Sequence, residues 1–292
     1  MKAAVIGASG YIGSHIWQEC LKLNAESTGT YFKKKKPGLT YLDIRNSSDF
    51  PLLLEDSGHE LVIICSAIPN IAFCQNNATE SNGINVSGTI SLIEAVAKTK
   101  MKLVFLSSDY VFDGQTGSYT DSHPTFPSTN YGKQKAEVET RIPDITNDFL
   151  IVRISKIFGT QRGDGTLLDE MAGNLLSSVP IRLANDQFFN PTEVNDLVRA
   201  ILILSNGNYK GIFNVANPLR ISRHQIGIDL AKKLQVNTKL VKSISLNEIH
   251  EMKGRPLDTS LECKRLKIET DFKFTTWDQS LNKILHEYSI KE

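Results

Sequence analysis

Three side chains near the middle of this chain have the types and the spacing that reduction of a carbonyl group needs. Tyr131 and Lys135 are four residues apart, and Ser108 precedes Tyr131 by 23 positions (131 − 108). If residues 130–141 form a helix, Tyr131 and Lys135 project from one face, where the ammonium can lower the tyrosine pKa from its usual value near 10. The phenol could then transfer a proton while the Ser108 hydroxyl hydrogen-bonds the carbonyl oxygen.

The same residues also have ordinary explanations. Tyrosine and lysine four apart occur in many helices, where the tyrosine packs and the lysine is solvated, and a serine at a strand end can satisfy a loop amide. The position of these residues in the predicted sheet favours a catalytic role. The apolar run 103–106 predicts a buried parallel strand, so Ser107 and Ser108 lie at its carboxyl end, where open α/β sheets bind ligands.

Strand-like and helix-like segments alternate through the first half of the chain. Apolar runs predict strands at residues 2–6, 27–31, 40–43, 61–65, 101–106 and 149–153, and helical patterns fall at residues 12–23, 47–55, 79–98 and 130–141. This alternation predicts an α/β fold built on a Rossmann-type doubly wound parallel sheet. After about residue 159 the pattern is less regular, which predicts a smaller, interleaved C-terminal substrate-binding domain.

A glycine-rich turn follows the first predicted strand and opens a helix. Gly7, Gly10 and Gly13 have the spacing GxxGxxG. Glycine lets the backbone approach a pyrophosphate, and the start of a helix offers free N–H groups and a favourable dipole. A tightly packed strand-to-helix turn without a ligand is the alternative. We expect a dinucleotide site here, within an NAD(P)-binding domain of residues 1–159 to which residues 186–216 contribute; residues 160–292 are then mainly the substrate-binding region.

Lysines follow the second predicted strand, where NAD-selective sites usually carry an acid that binds the ribose 2′-OH. Because Lys33 or Lys34 could pair with a 2′-phosphate, we expect NADP(H) to be preferred, with NAD(H) possible. A solvated loop is the alternative for these lysines. Asp43 could accept a hydrogen bond from the adenine amino group, or it could cap a helix at residues 46–48.

Composition excludes several other functions. The chain has 292 residues, with 33 Lys plus Arg against 32 Asp plus Glu, so no net charge favours nucleic acid or an anionic membrane. Its four cysteines form no CxxC pair and its six histidines show no ligand spacing, so we expect no metal site and reduced thiols. No apolar run approaches the roughly 18 residues of a membrane span. We therefore expect a soluble, cytoplasmic protein, with a homodimer compatible with the sequence.

The ordered motifs resemble those of the extended short-chain dehydrogenase/reductases, and among them the dTDP-4-dehydrorhamnose reductase family. Residues 107–114 (SSDYVFDG) resemble that family's STDYVFDG block, and residues 119–121 with 127–133 resemble its Y-x-E/D and P-x-N-x-YG-K stretches. Residues 153–159, 185–192 and 255–261 follow in the family's order. The chain is also similar to the regulatory subunit of methionine adenosyltransferase.

The resemblance implies a function and its site. It implies NAD(P)H-dependent reduction of a 4-keto-6-deoxy sugar nucleotide in dTDP-rhamnose biosynthesis, with catalysis by Ser108, Tyr131 and Lys135. It places Asp109 and Tyr110 close to the sugar, and Arg255 where its guanidinium could meet a diphosphate, with a surface ion pair as the alternative. With the residues argued above, the expected cofactor contacts are Gly7, Gly10, Tyr11, Ile12, Gly13, Tyr31, Lys33, Lys34, Asp43, Ile44, Ser66, Ala67 and Ile68.

Two departures from the family pattern lie near the expected sugar site. Lys156 stands where the family usually has tryptophan in its R-T-S-W-V-[YF]-G run, and residues 66–74 lack the usual V-D pair. A cation in place of a ring suggests a different substrate, one that bears a negative or strongly polar group; the alternative is that Lys156 points to solvent and that its identity is indifferent. Three alternatives therefore stay open: a reductase of another keto sugar nucleotide, an epimerase, or a non-catalytic NADP-binding regulatory subunit.

Overall fold

Short apolar runs bounded by turns form the strands of this chain. The computed structural model describes residues 1–54, 58–252 and 254–289. Within these ranges the strands are β1 Ala3–Ile6, β2 Thr28–Tyr31, β3 Leu39–Tyr41, β4 Leu61–Ile64, β5 Lys102–Ser108, β6 Phe149–Ile154, β7 Ile157–Phe158, β8 Ile181–Ala184, β9 Phe188–Phe189, β10 Thr192–Glu193, β11 Gly211–Val215, β12 Ile221–Ser222 and β13 Val241–Ile244.

Helices occupy most of the intervening segments. Some begin at a residue whose side chain caps the first turn, such as Thr129, which accepts from the Gly132 N–H, and Ser222, which accepts from the Gln225 N–H. The α-helices are α1 Tyr11–Leu23, α2 Pro51–Leu54, α3 Ile71–Asn76, α4 Ala78–Asn82, α5 Thr89–Val96, α6 Asn130–Ile145, α7 Leu167–Leu176, α8 Val194–Asn206, α9 Arg223–Lys233, α10 Lys264–Thr270 and α11 Trp277–Ser289.

A seven-stranded sheet combines β1 to β6 with β11, in the order β11-β6-β5-β4-β1-β2-β3. The pairs β1–β2, β2–β3, β1–β4 and β4–β5 are parallel. Strand order reverses between β1 and β4, so the carboxyl ends of these two strands flank the crevice in which doubly wound sheets bind ligands. The fold predicted from the alternating pattern is confirmed.

The chain divides into two compact units. The first consists of residues 1–111, 124–153 and 198–213, and the second of residues 112–123, 154–197 and 214–292. In the first unit, β1, β4 and β5 are almost wholly buried and pack against apolar faces of α5 and α6. The second unit has its own core, in which α7, α9 and α11 surround short strand pairs such as β8–β13.

Some helix boundaries differ from the predicted ones. The helix predicted at residues 79–98 is divided into α4, a π-helical segment at Gly83–Gly88 and α5. Gly88 accounts for part of this, since a Cβ on it would lie 2.8 Å from the Ile44 carbonyl oxygen. The helix predicted at 47–55 is a 3₁₀ turn, Ser47–Asp49, followed by α2, and residue 55 lies outside the described residues.

The predicted helix at 130–141 begins as expected and continues to Ile145. Pro143 falls within its last turn, two residues before the end, where the missing N–H removes a single helical bond. Across the described ranges, none of the helices combines the length and the apolar character needed to cross a membrane.

Candidate active site

The glycine-rich turn joins β1 to α1 by a close backbone contact. Gly7 has φ +86°, and a Cβ on it would come within 2.8 Å of the Ser66 backbone nitrogen, after β4. A Cβ on Gly13 would lie 2.3 Å from the Gly7 carbonyl oxygen. Helix α1 starts after Gly10 with no side-chain cap and no acid in its first turn. Its first N–H groups are therefore suited to an anion.

A cleft of about 240 Å³ opens beside this turn, within the first unit. Tyr11 and Ile12 form the first turn of α1 and, like Gly13, are not among the lining residues. The lining residues that were not predicted to belong to the site are Ile6, Ser9, Thr30, Leu42, Cys65 and Ile84. The expected cofactor contacts that do line the cleft are Gly7, Gly10, Tyr31, Lys33, Lys34, Asp43, Ile44, Ser66, Ala67 and Ile68.

Two buried hydroxyls test whether a dinucleotide fits. The Oγ atoms of Ser66 and Ser107 are buried and have no hydrogen-bond partner in the described parts of the chain. A buried polar group left unsatisfied costs about 1–3 kcal/mol, which a polar ligand would offset. Ser66 lines the cleft opposite Gly7. The glycine turn, the open helix start and the Ser66 hydroxyl together fit a dinucleotide, whereas Ser107 is not among the residues that line the cleft.

Two cations near Phe32, Arg45 and Lys33, each lie beside an acid. Arg45 forms a bidentate pair with Asp43, with its Nη2 2.6 Å from Oδ2 and its Nε 2.9 Å from Oδ1. Arg45 holds the pKa of the Asp43 carboxyl below its usual range. Lys33 Nζ lies 3.9 Å from Glu80 Oε1.

The capping alternative for Asp43 is wrong. The carboxyl of Asp43 binds Arg45, whereas the side chain of Asn46 accepts from the Ser48 N–H at the following turn. Arg45 itself was not predicted, although it follows Asp43 by only two residues.

Ser108, at the end of β5, and Tyr131, in the first turn of α6, are both buried. Ser108 Oγ donates to Asp109 Oδ1 at 3.0 Å and accepts from the Tyr110 N–H at 3.2 Å. The pKa of Tyr131 is raised, because burial and the nearby Asp109 carboxylate outweigh the hydrogen bond with Ser108. The expected lowering of this pKa by Lys135 is therefore wrong.

Lys135 lies one turn after Tyr131, and its charge is directed at β5. Its Nζ donates to the Leu106 carbonyl oxygen at 2.8 Å and lies 4.5 Å from the centre of the Phe105 ring. Burial lowers the pKa of the lysine to about 8, against the opposing effect of acidic neighbours that include Glu139. Glu139 is itself held by a buried pair with Arg153 at 2.7 Å.

Buried contacts fix α6 relative to the cleft. A Cβ on Gly132 would lie 2.0 Å from the Tyr110 carbonyl oxygen, so the helix packs directly on the turn after β5. Asn85, in the π-helical segment, donates to Gln134 Oε1 at 2.8 Å and accepts from the Ile68 N–H at 2.7 Å. Neither Asn85 nor Gln134 was predicted, because only the three-dimensional structure pairs them.

The four expected substrate residues lie in both units. Asp109 is buried and Tyr110 half-buried in the first unit, where the Tyr110 and Tyr131 rings meet edge to face with centres 6.3 Å apart. In the second unit Lys156 is exposed and its carbonyl accepts from the Thr192 N–H, while Arg255 is half-buried.

Comparisons with known proteins cover nearly the whole chain. Residues 1–290 match the family described as RmlD substrate binding domain. A probable low-salt glycan biosynthesis reductase of Haloferax volcanii is 25% identical over 277 residues, 92% of either chain. The methionine adenosyltransferase 2 subunit beta of Xenopus tropicalis is 22% identical over 91% of this chain and 81% of its own. The crystal structure of dTDP-4-dehydrorhamnose reductase from Bacillus anthracis in complex with NADP is 25% identical, with a TM-score of 0.86 over 98% of this chain and 100% of that one.

Proposed function

The chain belongs to the RmlD substrate binding domain family, and on that premise we propose that it reduces a 4-keto-6-deoxy sugar nucleotide with NAD(P)H. The proposal makes it an oxidoreductase of the short-chain dehydrogenase/reductase type, with its cofactor in the cleft beside Gly7. The similarity to a glycan biosynthesis reductase and to an NADP-bound dTDP-4-dehydrorhamnose reductase supports it.

The observation that carries the proposal is the buried group formed by Ser108, Tyr131 and Lys135. All three belong to the first unit, which also contains the glycine turn and the cleft. Ser108 and Tyr131 share a hydrogen bond, and Lys135 lies on the same face of α6 as Tyr131. Buried polar groups in such a cluster suit proton transfer to a bound ketone better than they suit packing.

The residues of the chain divide the reaction between them. A bound reduced nicotinamide supplies the hydride to the carbonyl carbon. Tyr131 is protonated at neutral pH, as a phenol of ordinary or raised pKa is, and can donate its proton to the carbonyl oxygen. Ser108 can hydrogen-bond the same oxygen as charge develops on it. The ketone thereby becomes an alcohol, and Lys135, on the same face of α6 as Tyr131, would hold the nicotinamide ribose.

The lysines of the cleft support a preference for NADPH over NADH. Lys33 and Lys34 both line it, and a charge-assisted contact to phosphate contributes about 1.5–3 kcal/mol, or roughly ten- to a hundredfold in affinity. We expect Lys34→Ala to weaken NADPH and leave NADH unchanged, as measured by fluorescence titration. Equal affinities of the unmodified chain for the two cofactors would remove this part of the proposal.

Direct assay of the purified chain tests the reaction. With NADPH and dTDP-4-dehydrorhamnose, and in parallel with other 4-keto sugar nucleotides, the expected result is oxidation of the cofactor and formation of the alcohol from at least one of them. Product analysis separates a reductase from an epimerase, because an epimerase returns a ketone with inverted stereochemistry and consumes no NADPH.

The similarity to the beta subunit of methionine adenosyltransferase favours a second candidate, a regulatory subunit that binds NADP without turning over a sugar. Both candidates need the cleft, but only the reductase needs the Tyr131 proton. Tight NADP binding without turnover of any of these sugar nucleotides, together with a change in the activity of a methionine adenosyltransferase catalytic chain on mixing, would decide for the second.

A further inference from the structure

Two cations lie near the ring of Phe32, which lines the cleft. The Arg45 guanidinium carbon lies 5.0 Å from the ring centre, and Lys33 Nζ lies 5.8 Å from it. Each cation has an acid beside it, Asp43 for Arg45 and Glu80 for Lys33. The two pairs differ in strength, since the first is bidentate at hydrogen-bond distance whereas the second is separated by 3.9 Å.

Arg45 is held in a fixed position for binding a further anion. Its bonds to Asp43 use Nε and Nη2, on one edge of the guanidinium, which has five N–H donors in all. The fork geometry suits a phosphate, and the contacts with Asp43 and Phe32 reduce the rotamer freedom that binding would remove. Asp43 thus positions the Arg45 guanidinium beside the cleft, and Asp43 also lines the cleft itself.

Glu80 should oppose the binding of a phosphate that Arg45 and Lys33 favour. Its carboxylate is close to Lys33 and also to Arg45, whose pKa it helps to raise. A phosphate at this point would meet the attraction of two cations and the repulsion of this acid. Because Glu80 and Lys33 are both largely exposed, the repulsion is modest and depends on salt.

We propose that Arg45 binds the 2′-phosphate of NADP(H) together with Lys33, and that Glu80 limits the resulting preference over NAD(H). This inference rests on the proposed function only for the presence of a dinucleotide in the cleft. It adds two residues that decide which dinucleotide is bound. The chemistry recognised is a phosphate monoester on the adenosine ribose.

The binding of two adenosine fragments tests this inference independently of the proposed reaction. Adenosine 2′,5′-bisphosphate carries the 2′-phosphate, AMP lacks it, and neither contains nicotinamide, so their binding is independent of ketone reduction. By calorimetry, Arg45→Ala should weaken the bisphosphate about tenfold and AMP by less than twofold. Glu80→Gln should tighten the bisphosphate about three- to fivefold at low salt, with the gain disappearing at high salt. Lys35→Ala is the matched control, because this exposed lysine of the same run is not among the residues that line the cleft.

Three results of these titrations would overturn the inference in whole or in part. Equal weakening of both fragments by Arg45→Ala would assign Arg45 to the adenine pocket, and no weakening would remove it from the site. Unchanged bisphosphate affinity in Glu80→Gln would remove Glu80. If the chain binds the bisphosphate in this Arg45-dependent way but reduces no sugar, the inference stands and the proposed reaction fails. If the chain reduces a sugar but binds both fragments equally, the proposed reaction stands and the inference fails.

Discussion

At the scale of single residues, Tyr131 is the group whose chemistry is most sharply testable. Tyr131→Phe should reduce turnover roughly 100- to 10,000-fold, because only the proton donor is lost and the ring still packs against Tyr110. Cofactor affinity should stay within a few-fold. Steady-state kinetics with a fluorescence titration measure both, and turnover within tenfold of the unmodified chain would exclude Tyr131 as the donor.

Lys135 is buried, and burial of its charge is unfavourable. Its pKa in the folded chain, about 8, lies below the ordinary value of 10.5, so between these pH values the unfolded chain binds a proton that the folded chain does not. Folding stability should therefore rise with pH from about 8 to 10.5 on account of this residue, and the burial penalty is fully present below pH 8.

Lys135→Met should accordingly stabilise the fold at pH 7 by about 1–3 kcal/mol, remove that rise and abolish turnover. Lys133→Met, an exposed lysine of the same helix, is the control and should change stability by less than about 0.5 kcal/mol. Urea unfolding at pH 7 and pH 10 gives both values. A less stable Lys135→Met chain would show that the Leu106 and Phe105 contacts outweigh the burial of the charge.

In the functional chain, loss of the Lys135 proton should also limit activity. The turnover number should fall as pH rises through about 8, because the neutral amine is a weaker hydrogen-bond donor to a bound nicotinamide ribose than the ammonium. A turnover number that stays flat to pH 10 would mean that a bound cofactor keeps Lys135 protonated, or that its charge is not needed.

At the scale of elements, two helical glycines make a matched pair. Gly132 in α6 is buried against the Tyr110 backbone, whereas Gly173 in α7 is exposed, and a Cβ added to it would have no neighbouring atom within 4 Å. Gly132→Ala should destabilise the fold by about 2–3 kcal/mol, because the helix must move away from β5. Gly173→Ala should stabilise it by about 0.5–1 kcal/mol through helix propensity. Thermal unfolding of the two variants measures the difference, and equal effects would contradict the packing described for α6.

Sequence periodicity predicted those elements that bury one face or a whole strand. β1, β4 and β5 are continuous apolar runs, and α6 starts within one residue of its cap at Thr129, so local patterns were sufficient. The π-helical segment was missed because it depends on Gly88 meeting Ile44 and on Asn85 meeting Ile68, contacts between residues far apart in the chain. Arg45 was missed for the same reason, since its position beside Phe32 exists only in the folded sheet.

At the scale of the whole molecule, the proposed reaction can be tested through the choice of sugar nucleotide. A formal net charge of +1 gives no general attraction for an anionic substrate, so under the proposal individual side chains such as Lys156 would determine selectivity. If Lys156 lies beside the sugar, as the family resemblance implies, dTDP-4-dehydrorhamnose should be a poor substrate.

Lys156→Trp should then raise kcat/KM for that sugar about three- to tenfold, by restoring a ring that can cover it. Lys242→Trp, at another exposed lysine of the second unit, is the control and should have no effect. Efficient turnover by the unmodified chain, unchanged by Lys156→Trp, would restore the rhamnose assignment.

The position of β11 at the edge of the sheet has a consequence for how the chain emerges from the ribosome. β11 lies beside β6 but begins 57 residues after β6 ends (211 − 154). At about 5–20 residues per second, the open edge of β6 waits roughly 3–12 s for its neighbour. During that interval the nascent first unit presents unpaired backbone groups that can join a second nascent chain. The speed at which the segment between β6 and β11 is translated should therefore affect the yield of folded protein. Synonymous codons that slow this segment should increase aggregation, although the amino-acid sequence stays the same.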